Sequence, residues 1–249
     1  RDDNYPLLVR LFRRKIGILR IGIDMEHIEV VKRADHSILR RELDIRSENT
    51  NIIILGQLYR PKGVHLLVKA FSSIAQDRAD VRLYIVGDHV IEEYRAYKEE
   101  LVAMIRESSL QEKVTFTGWR PDALEILATM DVLVHPSLAE GFGRAVLEAM
   151  ALGKAVCASR VGGLREAIRD SENGFLISPG DEKALTERVG LLVEDRDLRA
   201  RFGKAAHKTV QRDYLIEDKI RQFEAYAINL TKQSRADRMT SSPTPWESK

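Results

Sequence analysis

The sequence has only one cysteine, Cys157, among 249 residues, so no disulfide bond can form within the chain. The apolar run around it, Ala155-Val156-Cys157-Ala158, predicts a small buried core residue and not a nucleophile. Long apolar runs are lacking as well: none approaches the roughly 18 residues that a membrane span needs, and no signal peptide is visible. We therefore expect a cytoplasmic protein.

Charge of one sign is also scarce. The 40 basic and 38 acidic residues leave a net charge of +2, too weak a field to predict nucleic-acid binding. Residues 7–23 depart from this balance, because basic and apolar residues are mixed there. One interpretation is a basic amphipathic helix, which predicts peripheral contact with the inner face of the membrane. The other, favoured because Gly17 and Gly22 interrupt any helix, is a short helix followed by a strand at 16–21.

From residue 51 onward, short apolar runs alternate with stretches in which apolar residues recur at helical spacing. This alternation predicts an α/β fold, a Rossmann-like doubly wound parallel sheet with helices on both faces. The predicted strands are 51–55, 81–86, 114–117, 131–135, 155–159 and 174–178. The predicted helices are 63–76, 91–106, 121–130, 144–152 and 164–169, and C-terminal helices at 181–193, 196–211 and 216–231. The polar residues 233–249 predict a disordered tail.

In such a sheet, ligands bind beyond the carboxyl ends of the strands, so the strand-to-helix turns should carry the chemistry. The turn 56–63 places Arg60 and Lys62 before a helix N-terminus, where cations oppose the helix dipole unless an anion is bound. Phosphate binding and a solvated basic loop both fit this turn. After the third strand, Trp119 and Arg120 could meet a nucleobase, although packing of Trp119 on the neighbouring helix is favoured from that turn alone.

The turn after the fourth strand is the richest in such features. Gly141 and Gly143 remove side chains where the chain enters the next helix. The free N–H groups there form a natural diphosphate seat; they belong to Gly143, Arg144 and Ala145. Glu140 lies just outside this seat, and Glu148 lies about 6 Å further along the helix. Two carboxylates so placed can accept hydrogen bonds from the hydroxyls of a sugar and of a ribose on either side of the phosphates.

This segment has two other interpretations. Glu140 and Glu148 could be surface charges, but Glu148 lies in an almost wholly apolar helix, where an unpartnered carboxylate is costly. The spacing from Gly141 to Val146 is also a partial dinucleotide fingerprint, and Arg160 could meet a 2′-phosphate. A dehydrogenase is disfavoured because Val146 replaces the third glycine and the glycines begin several residues after the strand. No Walker loop, G-x-S-x-G or metal-spaced cluster is found, so we expect no cofactor and no metal.

In order and spacing, these segments resemble the C-terminal domain of the GT-B fold of retaining glycosyltransferases, in the large family 4 (group 1). The resemblance runs from about residue 16 to residue 230. It rests on Gly22-Ile23-Asp24, the turn 56–63, Gly87-Asp88, the Glu-x7-Glu segment from Glu140 to Glu148 with Phe142-Gly143 at its centre, Gly153-Lys154, Gly162-Gly163 and Asn173-Gly174-Phe175.

The resemblance implies a role for each matching residue. Glu140 would contact the hydroxyls of the donor sugar, Glu148 would bind the ribose, and Lys62 would stabilise the leaving diphosphate without proton transfer. Glu140 and Lys62 are thus the implied catalytic residues. The implied donor-binding residues are Gly56, Gln57, Arg60, Trp119, Arg120, Gly141, Phe142, Gly143, Arg144, Ala145 and Glu148. The family usually has arginine where Gln57 stands, so either Arg60 supplies the lost charge or donor affinity is reduced.

The resemblance also implies how the chain is divided. Residues 1–50 would be a crossover segment from an absent N-terminal acceptor domain, 51–212 the nucleotide-sugar-binding domain, and 213–232 a helix returning to the absent domain. The donor would be a UDP-, GDP- or ADP-linked sugar. The acceptor, a sugar, a lipid-linked molecule or another compound, would be held by the absent domain.

Three hypotheses for function follow. The first is a donor domain for transfer of a hexosyl group with retention, in polysaccharide or glycoconjugate biosynthesis, incomplete as this fragment. The second is a non-catalytic nucleotide-binding module, which the missing acceptor half favours if the native protein starts where this sequence does. The third is a GT-B-fold nucleotide-sugar epimerase, against which the Glu-x7-Glu segment argues.

Overall fold

The computed structural model describes residues 20–76 and 78–240, with side chains up to residue 231. The described residues form two compact units. The larger unit is Ile23–Asp213, and the smaller one joins the residues before Ile23 to those from Tyr214 onward. In the smaller unit, Gly22 lies so close to the C-terminal helix that a Cβ atom would be 2.6 Å from the Cα of Ile216.

A six-stranded parallel sheet forms the centre of the larger unit. Its strands are β1 (Thr50–Leu55), β2 (Val81–Val86), β3 (Val114–Gly118), β4 (Val132–His135), β5 (Ala155–Ser159) and β6 (Phe175–Ile177). They lie in the order β3-β2-β1-β4-β5-β6, and every pairing is parallel. The order reverses between β1 and β4, which is the point where open α/β sheets bind their ligands.

Apolar side chains cover both faces of this sheet, as the continuous apolar runs in the sequence require. In β1, Ile52 and Ile54 pack into the hydrophobic core on one face of the sheet, whereas Ile53 is buried between them on the opposite face. Cys157 in β5 is fully buried, as predicted, and burial raises the pKa of its thiol to about 12. It is therefore a core residue and not a thiolate.

Helices cover the two faces. They are α1 (Met25–Arg33), α2 (Ser37–Glu42), α3 (Val64–Ala75), α4 (Arg95–Glu107), α5 (Ala123–Ala128), α6 (Arg144–Ala151), α7 (Leu164–Ala167), α8 (Glu182–Glu194) and α9 (Arg196–Asp213). On one face α3 packs against α4 and α8, and on the other α6 packs against α1, α5 and α9. Single 3-10 turns at Arg60–Lys62 and Glu92–Tyr94 precede α3 and α4.

Three differences from the sequence-based expectations concern the ends of the chain. Helices α1 and α2 lie in residues 24–50, for which no helix is predicted. Helix α1 is capped by Asp24, whose Oδ1 accepts from the His27 N–H at 3.0 Å. The last helix, α10 (Ile216–Thr240), extends into the segment predicted as a tail. Most of the basic segment 7–23 lies outside the described residues, and residues 20–22 form neither helix nor strand. Within the described residues, 20–76 and 78–240, no helix is long and apolar enough to cross a membrane.

Candidate functional site

The turns after β1 and β4 meet at the carboxyl edge of the sheet, where the strand order reverses. The Leu138 N–H donates to the Pro61 carbonyl at 2.7 Å and joins the two turns. Gly63, at the start of α3, is in the left-handed region with φ of 69°, and a Cβ atom there would lie 2.1 Å from the Pro136 carbonyl oxygen. Only glycine permits this close approach. Lys62 and Glu140 are therefore brought from different turns to one place.

Lys62 and Glu140 form an ion pair at the centre of this edge. The Nζ of Lys62 donates to the Oε2 of Glu140 at 2.5 Å, and both side chains are more than four-fifths buried. The same Oε2 lies 2.9 Å from the Nε2 of His135, the last residue of β4. The other oxygen, Oε1, accepts from the Gly141 N–H at 3.1 Å. The predicted catalytic residues thus lie in contact, with a histidine beneath them.

These contacts keep Glu140 ionised. The hydrogen bond from His135 and the nearby ammonium of Lys62 outweigh burial and lower the pKa of Glu140 from 4.5 to about 2. At neutral pH the carboxylate can accept hydrogen bonds but has no proton to give. Glu140 is consequently suited to holding hydroxyl groups and unsuited to acting as a general acid.

The loop 140–143 is fixed by two glycines that follow β5. A Cβ atom at Gly162, whose φ is +49°, would lie 2.1 Å from the Glu140 carbonyl oxygen, and one at Gly163 would lie 2.3 Å from the Phe142 ring. The Gly163 N–H donates to the Gly141 carbonyl at 2.9 Å. The loop that carries Glu140 is therefore packed tightly against its neighbour, which accounts for glycine at both positions.

The N-terminus of α6 follows this loop directly. Gly143 precedes the helix in the left-handed region, with φ of 73°. The Val146 N–H donates to the Gly143 carbonyl at 2.9 Å, whereas the N–H groups of Gly143, Arg144 and Ala145 find no acceptor among the described residues. Together with the helix dipole, such N–H groups attract an anion. This geometry fits the diphosphate seat predicted from the sequence, and that role stays a prediction.

Glu148 lies on α6, one turn beyond this seat. Its side chain is 17% exposed, and its Oε1 accepts from the Nε of Arg144 at 2.8 Å. Burial raises the pKa of Glu148 above its usual value, and the nearby Arg144 opposes that change. Arg144 itself is 74% exposed, so its guanidinium can leave without opening the core. Glu148 is thus a partly buried carboxylate whose partner is replaceable.

Arg60 turns away from the Lys62 and Glu140 pair. Its guanidinium is bonded to Glu100 on α4 and lies 5.3 Å from the centre of the Tyr97 ring. Gln57 is exposed, and it lines the same small hollow as Lys62 and His135. Arg60 therefore contributes to anchoring the turn 56–63 on α4. Whether it also supplies the charge that Gln57 lacks stays a prediction.

A cleft of about 510 Å³ opens beside these turns, between the ends of β1, β2 and β3. Its walls include Gly56, Gln57, Trp119 and Arg120. The indole of Trp119 is 74% exposed, so the expectation that it packs on the neighbouring helix is wrong: the turn after β3 directs the ring into solvent at the cleft. The guanidinium of Arg120 is fixed by Glu42 at 2.5 Å and Asp122 at 2.7 Å, and these carboxylates raise its pKa. Arg120 is a rigid wall of the cleft.

Sequence reasoning missed the contribution of His135, because a histidine at a strand end is more often structural than a ligand. Its position at the end of a predicted strand, five residues before Glu140, was the available signal. No cluster of His, Cys, Asp and Glu within the described part of the chain could hold a metal ion. The expectation that no metal takes part stays a prediction.

Comparison with known proteins identifies the family. A model of the family described as glycosyl transferases group 1 matches residues 35–209. The chain belongs to the group 1 glycosyl transferases. It is 31% identical to the putative glycosyltransferase EpsD of Bacillus subtilis over 193 residues, and this aligned region covers 77% of this chain and 49% of EpsD. It is 26% identical over 201 residues, 81% of this chain and 51% of the relative, to the N-acetyl-alpha-D-glucosaminyl L-malate synthase of Bacillus anthracis.

Solved structures agree with this membership. The crystal structure of Anabaena HepE with UDP-glucose superimposes with a TM-score of 0.76 at 28% identity, over 87% of this chain and 57% of HepE. The C-terminal domain of the group 1 protein LpcC from Francisella tularensis gives a TM-score of 0.70 at 26% identity, over 78% of this chain and all of that domain. The predicted fold, the C-terminal half of GT-B, is therefore confirmed. The chain spans about half the length of the curated relatives it matches.

Proposed function

We propose that this chain binds the nucleoside-diphosphate-sugar donor of a glycosyltransferase that transfers a hexosyl group with retention. The observation that carries the proposal is the Lys62–Glu140 ion pair, 2.5 Å long, beside the free N-terminus of α6. Positive charge for a diphosphate and a carboxylate for sugar hydroxyls then lie side by side. The complexes of HepE with UDP and with UDP-glucose support the choice of ligand class.

The diphosphate lies, in this proposal, on the N–H groups of Gly143, Arg144 and Ala145. The sugar extends toward Glu140, and the ribose extends toward Glu148 on the next turn of α6. When the ribose hydroxyls reach Glu148, they replace its bond from Arg144, whose exposed guanidinium moves to solvent or phosphate. The base enters the cleft beside Trp119, where an exposed indole offers a stacking surface.

The chemistry at the reacting carbon is electrostatic. The bond from the anomeric carbon to the diphosphate oxygen breaks, and a bond to an acceptor hydroxyl oxygen forms on the same face. The proton of that hydroxyl passes to the departing diphosphate oxygen. Negative charge develops on the departing diphosphate, where the ammonium of Lys62 and the N–H groups of α6 stabilise it. Glu140 remains an ionised carboxylate that orients the sugar, because its pKa is about 2. These positive groups take the place that a metal ion has in many other phosphate sites, so donor binding should survive chelation of metals by EDTA.

The acceptor, a sugar, a lipid-linked molecule or another compound, binds outside the site described above. Complete transfer requires an acceptor site, and the chain spans about half the length of its relatives. We therefore expect donor binding by the chain of 249 residues, with little or no turnover.

Isothermal titration calorimetry of the 249-residue chain with UDP, GDP and ADP, and with their glucose conjugates, tests this function. One of the three nucleotides should bind, and Glu148→Ala should weaken it about tenfold or more through loss of charge-assisted bonds to the ribose. Glu112→Ala, an exposed glutamate after α4, is the matched control and should leave the affinity unchanged. Absence of binding by all six compounds, or binding that Glu148→Ala does not alter, would refute the proposal.

A further inference from the structure

His135 is an unusual residue for its position in the fold. It ends β4, a central strand whose other residues are Val132, Leu133 and Val134, and it is only 2% exposed. An imidazole is polar at both nitrogens, so burial here needs a compensating contact. The Nε2 atom makes one with the Oε2 of Glu140 at 2.9 Å.

The direction of this hydrogen bond follows from the charge of its partner. Glu140 is ionised and can only accept, so the proton lies on the Nε2 of His135. Lys62 donates to the same oxygen from the neighbouring turn, and the Gly141 N–H donates to the other oxygen. The carboxylate is consequently held from three directions, by a strand end, by the turn after β1 and by its own loop.

A bound nucleotide sugar would affect these three hydrogen bonds to Glu140 differently. Lys62 is exposed by about a fifth and is the group that a diphosphate attracts most strongly. His135 lies within the sheet, where its side chain is 3% exposed, out of reach of a phosphate. When the diphosphate draws the ammonium of Lys62, His135 is the remaining side chain that fixes Glu140.

We infer that His135 is a positioning residue that holds the carboxylate of Glu140 in the orientation needed to receive the hydroxyls of the donor sugar. This inference rests on the proposed function, in which Glu140 binds the sugar. A glutamate side chain without such support rotates about three bonds. Fixing it when the sugar binds costs conformational entropy, which reduces the net binding free energy. His135 thus strengthens binding of the sugar part of the donor and does not act on the nucleotide part.

Calorimetry with UDP and UDP-glucose on three forms of the 249-residue chain tests the inference. His135→Leu removes the hydrogen-bond donor to Glu140, whereas His135→Gln keeps an N–H group of similar reach. The expected result is that His135→Leu weakens UDP-glucose about tenfold, the size of one bond to a charged group, while UDP affinity changes less than about twofold. His135→Gln should restore most of the affinity for UDP-glucose.

Two results would overturn the inference. The first is an equal change, or no change, in the two affinities of His135→Leu, because a residue with only a structural role would affect both ligands alike. The second applies if His135→Leu does not fold: His135→Gln then decides alone, and loss of the wild-type ratio of the two affinities overturns the inference, whereas keeping that ratio supports it.

A second measurement needs no nucleotide and separates this inference from the proposed function. Two-bond nitrogen-15 NMR spectra of the wild-type imidazoles, with His135 assigned by the His135→Gln variant, should show a protonated Nε2 that responds to Glu140→Gln. An unprotonated Nε2 would overturn the inference even if nucleotides bind. A protonated Nε2 together with no nucleotide binding would establish the bond to Glu140 but refute the proposed function, and with it the role of that bond in holding a sugar.

Discussion

Lys62 and Glu140 are 78 residues apart in the sequence, yet their side chains form an ion pair of 2.5 Å at the point where the strand order of the sheet reverses. The pair is largely withdrawn from water, so removing either partner would leave an unpaired, largely buried charge and destabilise the fold. It also holds together the two turns from which a diphosphate sugar would be bound. In the absence of donor, the pair thus keeps the two charged groups beside the N-terminus of α6.

The first prediction concerns acid stability. A carboxyl group whose pKa falls on folding stabilises the fold above its unfolded pKa, and that contribution is lost as the pH falls through the folded value. For Glu140 the window runs from about 4.5 down to about 2. Glu140→Gln should lower the free energy of unfolding at pH 7 by up to roughly 3 kcal/mol, and the difference from wild type should narrow by more than half at pH 3. Urea unfolding at the two pH values measures both differences. Glu112→Gln is the control, and a Glu140 difference that is the same at both pH values would contradict the low pKa.

The second prediction concerns the loop that carries Glu140. Gly162→Ala places a Cβ atom 2.1 Å from the Glu140 carbonyl oxygen, at a φ that alanine rarely adopts. We expect a loss of roughly 2 kcal/mol or more in the free energy of unfolding, because the loop must shift. The matched variant is Gly190→Ala in α8, where a Cβ atom meets nothing within 4 Å. It should gain up to about 1 kcal/mol from the better helix propensity of alanine. Urea unfolding of both variants checks the contrast, and equal stabilities would show that Gly162 is not needed for packing.

The third prediction concerns the charge missing at Gln57. Arg60 is bonded to Glu100, so Arg60→Gln should change the affinity for UDP less than about twofold. Gln57→Arg should strengthen UDP binding by roughly three- to tenfold, because it adds a cation to the turn beside Lys62. Calorimetry of the two variants alongside Lys62→Gln is the measurement. If Arg60→Gln weakens UDP as much as Lys62→Gln does, Arg60 supplies the missing charge after all.

The fourth prediction concerns the nucleobase. Because the indole of Trp119 is 74% exposed, Trp119→Ala should change the free energy of unfolding by no more than about 0.5 kcal/mol. Loss of stacking should nevertheless weaken nucleotide binding by roughly 1–3 kcal/mol. Trp119→Phe, which keeps a ring, should recover much of this loss. Unchanged affinity in Trp119→Ala would place the base elsewhere than beside this turn.

The strands were the most predictable part of the fold. The predicted limits of β2 and β5 agree with Val81–Val86 and Ala155–Ser159, because buried parallel strands appear as apolar runs between polar or glycine-containing turns. Helix α1 is not predicted, since among its nine residues only Ile28 and Val31 are buried, too few to produce a clear period. A short amphipathic helix of this kind is fixed by its packing against α5 and α6.

The candidate site likewise has features that the sequence predicts and features that it does not. Glu140, the N-terminus of α6 and Glu148 are adjacent in sequence, so their spacing along one helix could be derived directly. The contacts between residues far apart in the sequence could not be derived in this way. Glu42 binds Arg120 across 78 residues, and the exposed ring of Trp119 depends on how β3 ends. The contact of His135 with Glu140 depends on how the loop folds back over the end of β4, and no local pattern encodes that.

The most direct test of the account is a crystal structure of the chain soaked with the nucleotide sugar that calorimetry selects. We predict a diphosphate on the N–H groups of Gly143, Arg144 and Ala145, sugar hydroxyls on Glu140, and ribose hydroxyls on Glu148 with Arg144 displaced from it. Lys62 should approach the diphosphate while His135 keeps its bond to Glu140. A nucleotide bound elsewhere, or one bound here with the ribose away from Glu148, would contradict the account.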